Sequence, residues 1–328
     1  VLVTARRVEE TLQSIPLTAS VLDSNTLERN LVAAIEDMGR LVPNMQVVTT
    51  ANGSSSAIYL RGIGSSTISE AFEPAVALNI DGVVLSATRM IRAGQLDMKQ
   101  IEVLKGPQSL YFGKSATAGV ISVLSNDPGD EVEVMLRAAY APEHEETRLE
   151  GMLSGPVGEN VGARLALATN QTDELRENLY PDVKNRWRNQ ESTDARLTLA
   201  WGPSDSFNAK FKAYYSEYEN DGPNWNVNMV CPEAPLMQQT QVPGTGQVLP
   251  RGFYSCRRGE SVGLPDVPDV LLPAATDPTY RYWNNGTPYM DQESQLYSLQ
   301  LDWALSDSLA LTSISAGLDL DSDSVDRC

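Results

Sequence analysis

From Glu131 onward, apolar and polar residues alternate one by one in runs of about ten, and that period fixes the fold class. Val132, Val134, Leu136, Ala138 and Tyr140 share one face, with Glu131, Glu133 and Arg137 on the other. Leu149 and Leu153 oppose Arg148, Glu150 and Ser154. Val161, Ala163, Leu165 and Leu167 oppose Arg164 and Asn170, and Ala195, Leu197, Leu199 and Trp201 oppose Asp194, Arg196 and Thr198. Phe207, Ala209, Phe211, Ala213 and Tyr215 oppose Asn208, Lys210, Lys212 and Ser216. Tyr297, Leu299, Leu301 and Trp303 oppose Ser298, Gln300 and Asp302, and a weaker seventh run spans Leu309 to Asp319. Successive strand side chains point to opposite faces, so each run is a strand with one apolar and one polar face.

Such strands build either a soluble sandwich with one wet face or a barrel in lipid. Aromatics end the apolar faces (Tyr140, Trp201, Phe207, Tyr215, Trp303), where an interfacial girdle would lie. The connections also differ in length. Short turns follow strands two, four and six: Gly155-Pro156-Val157-Gly158, Gly202-Pro203-Ser204-Asp205 and Ser306-Asp307-Ser308. Long ones, 171–190 and 220–290, follow strands three and five; the short Ala141–Glu145 link departs from the pattern. Short turns at one rim and long loops at the other mark the outer-membrane barrel. Seven strands cannot close, and an open edge in lipid costs several kcal/mol per exposed group. Eight strands leave no room for another domain, so the expectation is the front of a larger, truncated antiparallel transmembrane barrel of about 22 strands around a plug.

Residues 1–127 read differently, as an α+β plug domain, with residues 128–328 forming the wall. Leu31, Ala34, Ile35 and Met38 share a helical face; Asn25 and Glu28 offer a capping box, and Pro43 stops the helix. Strands are expected over Met45–Thr50, Ala57–Arg61, Ala75–Ile80, Gln100–Leu104 and Gly119–Leu124. Gly62-Ile63-Gly64-Ser65-Ser66, Asp81-Gly82 and Gly106-Pro107 supply the turns.

Composition narrows the function. The 328 residues are 41% hydrophobic, enough for a core, and carry a net charge of −18, which disfavours nucleic acid as a partner. No apolar run reaches the ~20 residues of a membrane helix. The chain opens at Val1 with no Met and no signal pattern, which fits either a mature or trimmed product or one never exported. Cys231 and Cys256 bracket a Pro- and Gly-rich stretch. A disulfide there, with two free thiols as the alternative, would stabilise the loop by about 3–4 kcal/mol. Cys328 has no partner assigned.

The segments Ile15-Pro16-Leu17-Thr18-Ala19-Ser20-Val21, Leu41-Val42-Pro43-Asn44-Met45, Tyr59-Leu60-Arg61-Gly62-Ile63-Gly64 and Asn79-Ile80-Asp81-Gly82-Val83 carry a resemblance. So does the run from Ile101 to Gly113, Ile101-Glu102-Val103-Leu104-Lys105-Gly106-Pro107-Gln108 and onward, continuing into Ala118-Gly119-Val120-Ile121-Ser122-Val123. In combination and order they resemble the plug of a TonB-dependent outer-membrane receptor, and residues 131–328 resemble only the opening strands of that family's barrel. Lys105 stands where the family usually has Arg, keeping the charge but losing the planar fork. Val1, Leu2, Val3, Thr4 and Ala5 look like a TonB box lacking its first residues; the alternative is an ordinary first strand. An extended segment of this kind adds a strand to a partner's sheet. The resemblance implies that TonB, with its inner-membrane energising complex, pulls this segment and rearranges the plug.

The implied function is active transport of a scarce ligand, a ferric siderophore or similar iron chelate, across the bacterial outer membrane amid its lipid and lipopolysaccharide. Import of glycans or other organic oligomers, and signal transduction, are the alternatives. No enzyme activity or cofactor is expected. Ligand contacts are expected on the turn from Ser65 to Glu73 (Ser65, Ser66, Thr67, and Phe72 as the apolar surface). The turn from Ser86 to Arg92 adds Arg89 and Arg92, whose forks match anionic oxygens unless they pair with wall carboxylates. Trp225, Phe253, Tyr254, Tyr280, Tyr282 and Trp283 form a candidate aromatic lid.

Rival chemistry fails on spacing. Phe112-Gly113-Lys114-Ser115 lacks a Gly five residues before Gly113, so it is no phosphate loop. His144, the only histidine, sits in a polar turn, which denies a base to a Ser or Cys nucleophile. Asp319, Asp321, Asp323 and Asp326 lack EF-hand spacing and read as a solvated loop.

Overall fold

The computed structural model describes residues 2–3, 10–11, 13, 17–30, 32, 35–49, 56–64, 74–85, 96–142, 145–172, 190–204, 206–220, 239–241, 248–250, 289–306 and 308–325. The first part contains β1 (Leu2–Val3), β2 (Glu10–Thr11), β3 (Thr18–Asp23), α1 (Ser24–Arg29) and a 3-10 turn (Ile35–Arg40). After these come β4 (Met45–Thr49), β5 (Ser56–Leu60), β6 (Ile63–Gly64), β7 (Val76–Ile80), β8 (Val83–Leu85), β9 (Met98–Lys105), α2 (Ser109–Phe112) and β10 (Gly119–Ser125).

The expected strands form within two residues of their limits, and β3 joins them. The helix differs. Asp23, not Asn25, accepts the Thr26 N–H at 2.8 Å, so α1 starts one residue after β3. Ile35 and Met38 are fully buried as their spacing implies, but on a 3-10 turn. Asp81 (φ 48°) and Gly82 (φ 86°) make the two-residue left-handed turn of the β7–β8 hairpin, as the Asp-Gly pair demands.

A five-stranded sheet in the order β3-β9-β10-β7-β8 organises the plug, and only the β10–β7 pairing is parallel. Its residues alternate between two cores. Leu78, Ile80, Ile101, Val103, Ile121 and Val123 enter the larger one, with Leu60, Ile35 and Met38. Ala77, Leu104 and Val120 enter the smaller, with Phe112 and Ala116.

The second part is one antiparallel sheet of seven strands in chain order. It runs β11 (Glu133–Ala141), β12 (Glu146–Gly158), β13 (Val161–Thr172), β14 (Gln190–Ser204), β15 (Phe207–Asn220), β18 (Tyr289–Ser306) and β19 (Leu309–Val325). A small hairpin, β16 (Gln239–Gln241) with β17 (Val248–Pro250), lies in the long β15–β18 connection. The wall strands run from 9 to 18 residues, against about 9–11 needed to cross a bilayer. Among the described residues no helix is long and apolar enough to cross a membrane.

The short turns fall one or two residues later than their Gly-Pro pairs suggest. β12 runs through Pro156 to Gly158 and β14 through Pro203 to Ser204, each with a register shift near its proline. Proline gives the ladder no N–H, and a local irregularity absorbs the loss without ending the strand. The acidic run is likewise corrected: Asp319, Asp321 and Asp323 lie within β19, opposite Gln295, Glu293 and Asp291 of β18.

Candidate functional site

The wall is inside out relative to a soluble protein. Lys212, Ser216 and Asn220 of β15 are buried, as are Gln292, Ser294 and Ser298 of β18, whereas Tyr297, Leu299 and Trp303 are 41–50% exposed. The polar face meets the plug and the apolar face looks outward. Trp201, Phe207 and Trp303 stack edge to face beside the short turns, with centroids 5.9 and 6.0 Å apart. Such a cluster suits the interfacial girdle of a lipid-facing wall.

Four basic side chains, Arg164 of β13, Arg196 of β14, and Lys210 and Lys212 of β15, sit on the polar face that alternation assigns them. Arg164 donates from Nε to Asp97 Oδ2 at 2.6 Å and from its terminal nitrogen to Asp97 Oδ1 at 2.7 Å. Lys212 donates to Asp81 Oδ1 at 3.0 Å and Ser125 Oγ at 2.7 Å, and lies 3.2 Å from Asp127. Lys210 donates to Asp127 Oδ2 at 2.6 Å. Arg196 donates to the Leu96 carbonyl and lies 5.2 Å over the Tyr214 ring, whose hydroxyl donates to Asp194.

Two of the plug carboxylates, Asp81 and Asp97, come from turns or bends rather than strands. Asp97 has φ 55° and Asp81 φ 48°, left-handed positions that Asp tolerates better than most residues. Burial alone would push the Asp81 carboxyl up, but Lys212 and Arg196, with hydrogen bonds from Ser125, hold it below the ordinary value. Asp127 behaves alike: burial is outweighed by Lys212 and Lys210. The Asp81 and Asp127 carboxylates are therefore ionised near neutrality, which makes their contacts charge-assisted. Alternation places the four cations correctly; it does not reveal partners that lie 67 to 131 residues away.

At the amino end, Leu2 and Val3 pair antiparallel with Thr11 and Glu10. Val3 is fully buried in the smaller core, beside Ala77, Leu104, Phe112 and Val120. Burying one valine contributes about 1.5–3 kcal/mol, and this ladder spans only two residue pairs. Val1, Thr4 and Ala5 lie outside the described residues, as do Ser65, Ser66, Thr67, Phe72, Arg89, Arg92, the lid aromatics, His144, Cys231, Cys256, Cys328 and Asp326. Lys105 points inward and donates to the Pro43 carbonyl at 2.9 Å, joining β9 to the turn before β4. Among the described residues no cluster of three metal-ligating side chains forms.

A polar-lined wall gripping an α+β stopper defines a plugged-barrel fold. Residues 11–120 match the TonB-dependent Receptor Plug Domain family. The pesticin receptor of Yersinia enterocolitica is 29% identical over 141 residues, which cover 43% of this chain and 20% of that protein. The vitamin B12 transporter BtuB of Photobacterium profundum is 21% identical over 222 residues, 67% of this chain and 35% of that protein. Among solved structures, the ferric yersiniabactin uptake receptor FyuA of Yersinia pestis superposes with a TM-score of 0.72 at 19% identity, covering 98% of this chain and 44% of that one. The chain thus spans less than half the length of these relatives. Residues 11–120 match that plug-domain family, and the whole chain shares the fold of a receptor plug followed by opening barrel strands.

Proposed function

We propose that this chain is the plug and first wall strands of a receptor that takes up a scarce ligand across the outer membrane, driven by TonB. The plug runs to residue 127 and the wall from 128, closing with further strands to about 22. One observation carries the reading: the buried face of the wall is largely polar and ion-paired to the plug, with only a few wall side chains such as Ala166, Tyr214 and Leu296 joining the plug's apolar core, as suits a stopper held mainly by polar contacts. Ferric chelates are the first ligand class, supported by the name of the ferric yersiniabactin receptor, which shares the fold. An organic, cobalamin-like ligand is the second reading, supported by the match to the vitamin B12 transporter.

Val1–Ala5 serve as the coupling segment, because the described part of it is held in the plug by a ladder of only two residue pairs. Ser65, Ser66, Thr67, Phe72, Arg89 and Arg92 are the proposed ligand contacts, and Cys231–Cys256 the loop disulfide. The test is binding and uptake by the full-length protein against ferric chelates, cobalamin and glycans, with and without residues 1–5. Deletion is expected to abolish uptake and leave binding intact. Unchanged uptake removes the coupling role; absence of binding to every iron chelate removes the ligand class.

A further inference from the structure

We propose that Ser125 and Asn126 form a two-armed bracket that fixes the trailing edge of the plug to the wall and seals the lumen. The inference rests on the transport reading and assigns the seal within it to particular residues. Ser125, the last residue of β10, donates its N–H to Asp81 Oδ1 at 2.9 Å and its hydroxyl to Asp81 Oδ2 at 2.7 Å. Its neighbour Asn126 donates its N–H to the Asp97 carbonyl at 3.0 Å and its side-chain amide to Asp97 Oδ1 at 2.9 Å. Two adjacent residues thus hold the two left-handed aspartates, and each aspartate in turn holds one wall cation, Lys212 on β15 or Arg164 on β13.

The next residue, Asp127, continues the attachment through Lys210. Gly82, beside Asp81, sits so close to β19 that a Cβ there would lie 2.6 Å from Ile314 Cδ1. One hairpin turn is therefore tied to β15 by charge and seated on β19 by contact.

The arrangement has the character of a clamp. Both aspartates occupy uncommon backbone positions, which persist where surroundings over-determine them. Lys212 alone joins three plug segments: the β7–β8 turn through Asp81, the end of β10 through Ser125, and the link to the wall through Asp127. Removing a buried charge leaves its partner unpaired in a water-poor site, so the clamp fails as a unit. Lys212 acts as a positioning residue: it places the stopper and touches no cargo.

The experiment uses the full-length receptor in cells lacking TonB and follows entry of vancomycin, a bulky hydrophilic antibiotic. Lys212→Met and Asp81→Asn are each expected to raise vancomycin sensitivity by about tenfold, with the double variant no worse than Lys212→Met alone, because one buried pair is lost in each case. Lys212→Arg keeps most of the seal. Folded barrel is scored by its heat-modifiable migration. If Lys212→Met does not assemble, Asp81→Asn carries the test, since it leaves the wall intact. Assembled variants that exclude vancomycin like the parent overturn the bracket. Because the probe is not the cargo, tight variants with normal ligand uptake defeat the bracket alone, and leaky variants of a parent that imports no ligand defeat the transport reading alone.

Discussion

Arg164 on β13 and Asp97 in the bend before β9 face each other as fork and carboxylate, joined by parallel hydrogen bonds of 2.6 and 2.7 Å, with both side chains 9% exposed. Replacing Arg164 by Ala strands a buried carboxylate and is expected to cost about 3–5 kcal/mol of plug docking. Arg164→Lys keeps the charge but loses the fork, and falls between. The urea midpoint for release of the plug, followed by protease access to residues 96–127, measures both. Equal midpoints for Lys and Ala would show that the fork contributes nothing.

Acid should loosen the plug only far below neutrality. The folded-state carboxyls of Asp81 and Asp127 titrate below their ordinary value despite burial, because the cations facing them outweigh it. A depressed carboxyl contributes stability that is complete above the unfolded pKa, about 3.9, and is lost as pH falls through the folded value. Docking strength is therefore expected to hold from pH 8 to about pH 5 and to decline below pH 4. Asp81→Asn flattens that decline. A loss of docking between pH 8 and 6 would contradict the assignment.

Gly82 tests the seat of the same turn. Its φ of 86° favours glycine, and Ile314 stands where a new methyl would go. Gly82→Ala is expected to cost about 1–2 kcal/mol, mostly conformational, since the Ile314 terminus can swing aside. Adding Ile314→Val should therefore recover little. Full recovery in thermal melting of the purified receptor would instead place the cost in the contact.

The outward face predicts its own asymmetry. A lysine at Leu299 faces hydrocarbon, and is expected to cost about 2–4 kcal/mol of barrel assembly. A serine-to-asparagine change at its neighbour Ser298, on the plug side, is governed by fit and hydrogen bonding. Folding into liposomes, scored by migration without boiling, compares the two; equal tolerance of Leu299→Lys would dispute the lipid face.

Most of the wall was legible in its period. Alternation assigned Arg164, Arg196, Lys210 and Lys212 to one face and Leu165, Leu199, Leu299 and Trp303 to the other, because strand geometry needs only local sequence. The turns were less legible. Gly155-Pro156 and Gly202-Pro203 read as ends, whereas ladder pairing on both sides carries the chain past them. The helix start failed for a related reason: Asp23 already stood at the end of β3 with a carboxylate to offer, two residues ahead of Asn25. The bracket could not be read at all. Asp81 announces a hairpin, and nothing nearby in sequence announces Lys212.

The order of the plug sheet bears on how such a molecule is made. β3 lies beside β9, almost a whole domain later in the chain, and β10 returns parallel to β7. A nascent polypeptide that has reached only β8 still lacks the strand β3 must pair with, so its apolar edge waits in solution. Contacts so distant along the chain slow folding and lengthen exposure to misassociation. Biogenesis of this stopper therefore depends on keeping an unfinished sheet soluble until synthesis has passed Ser125.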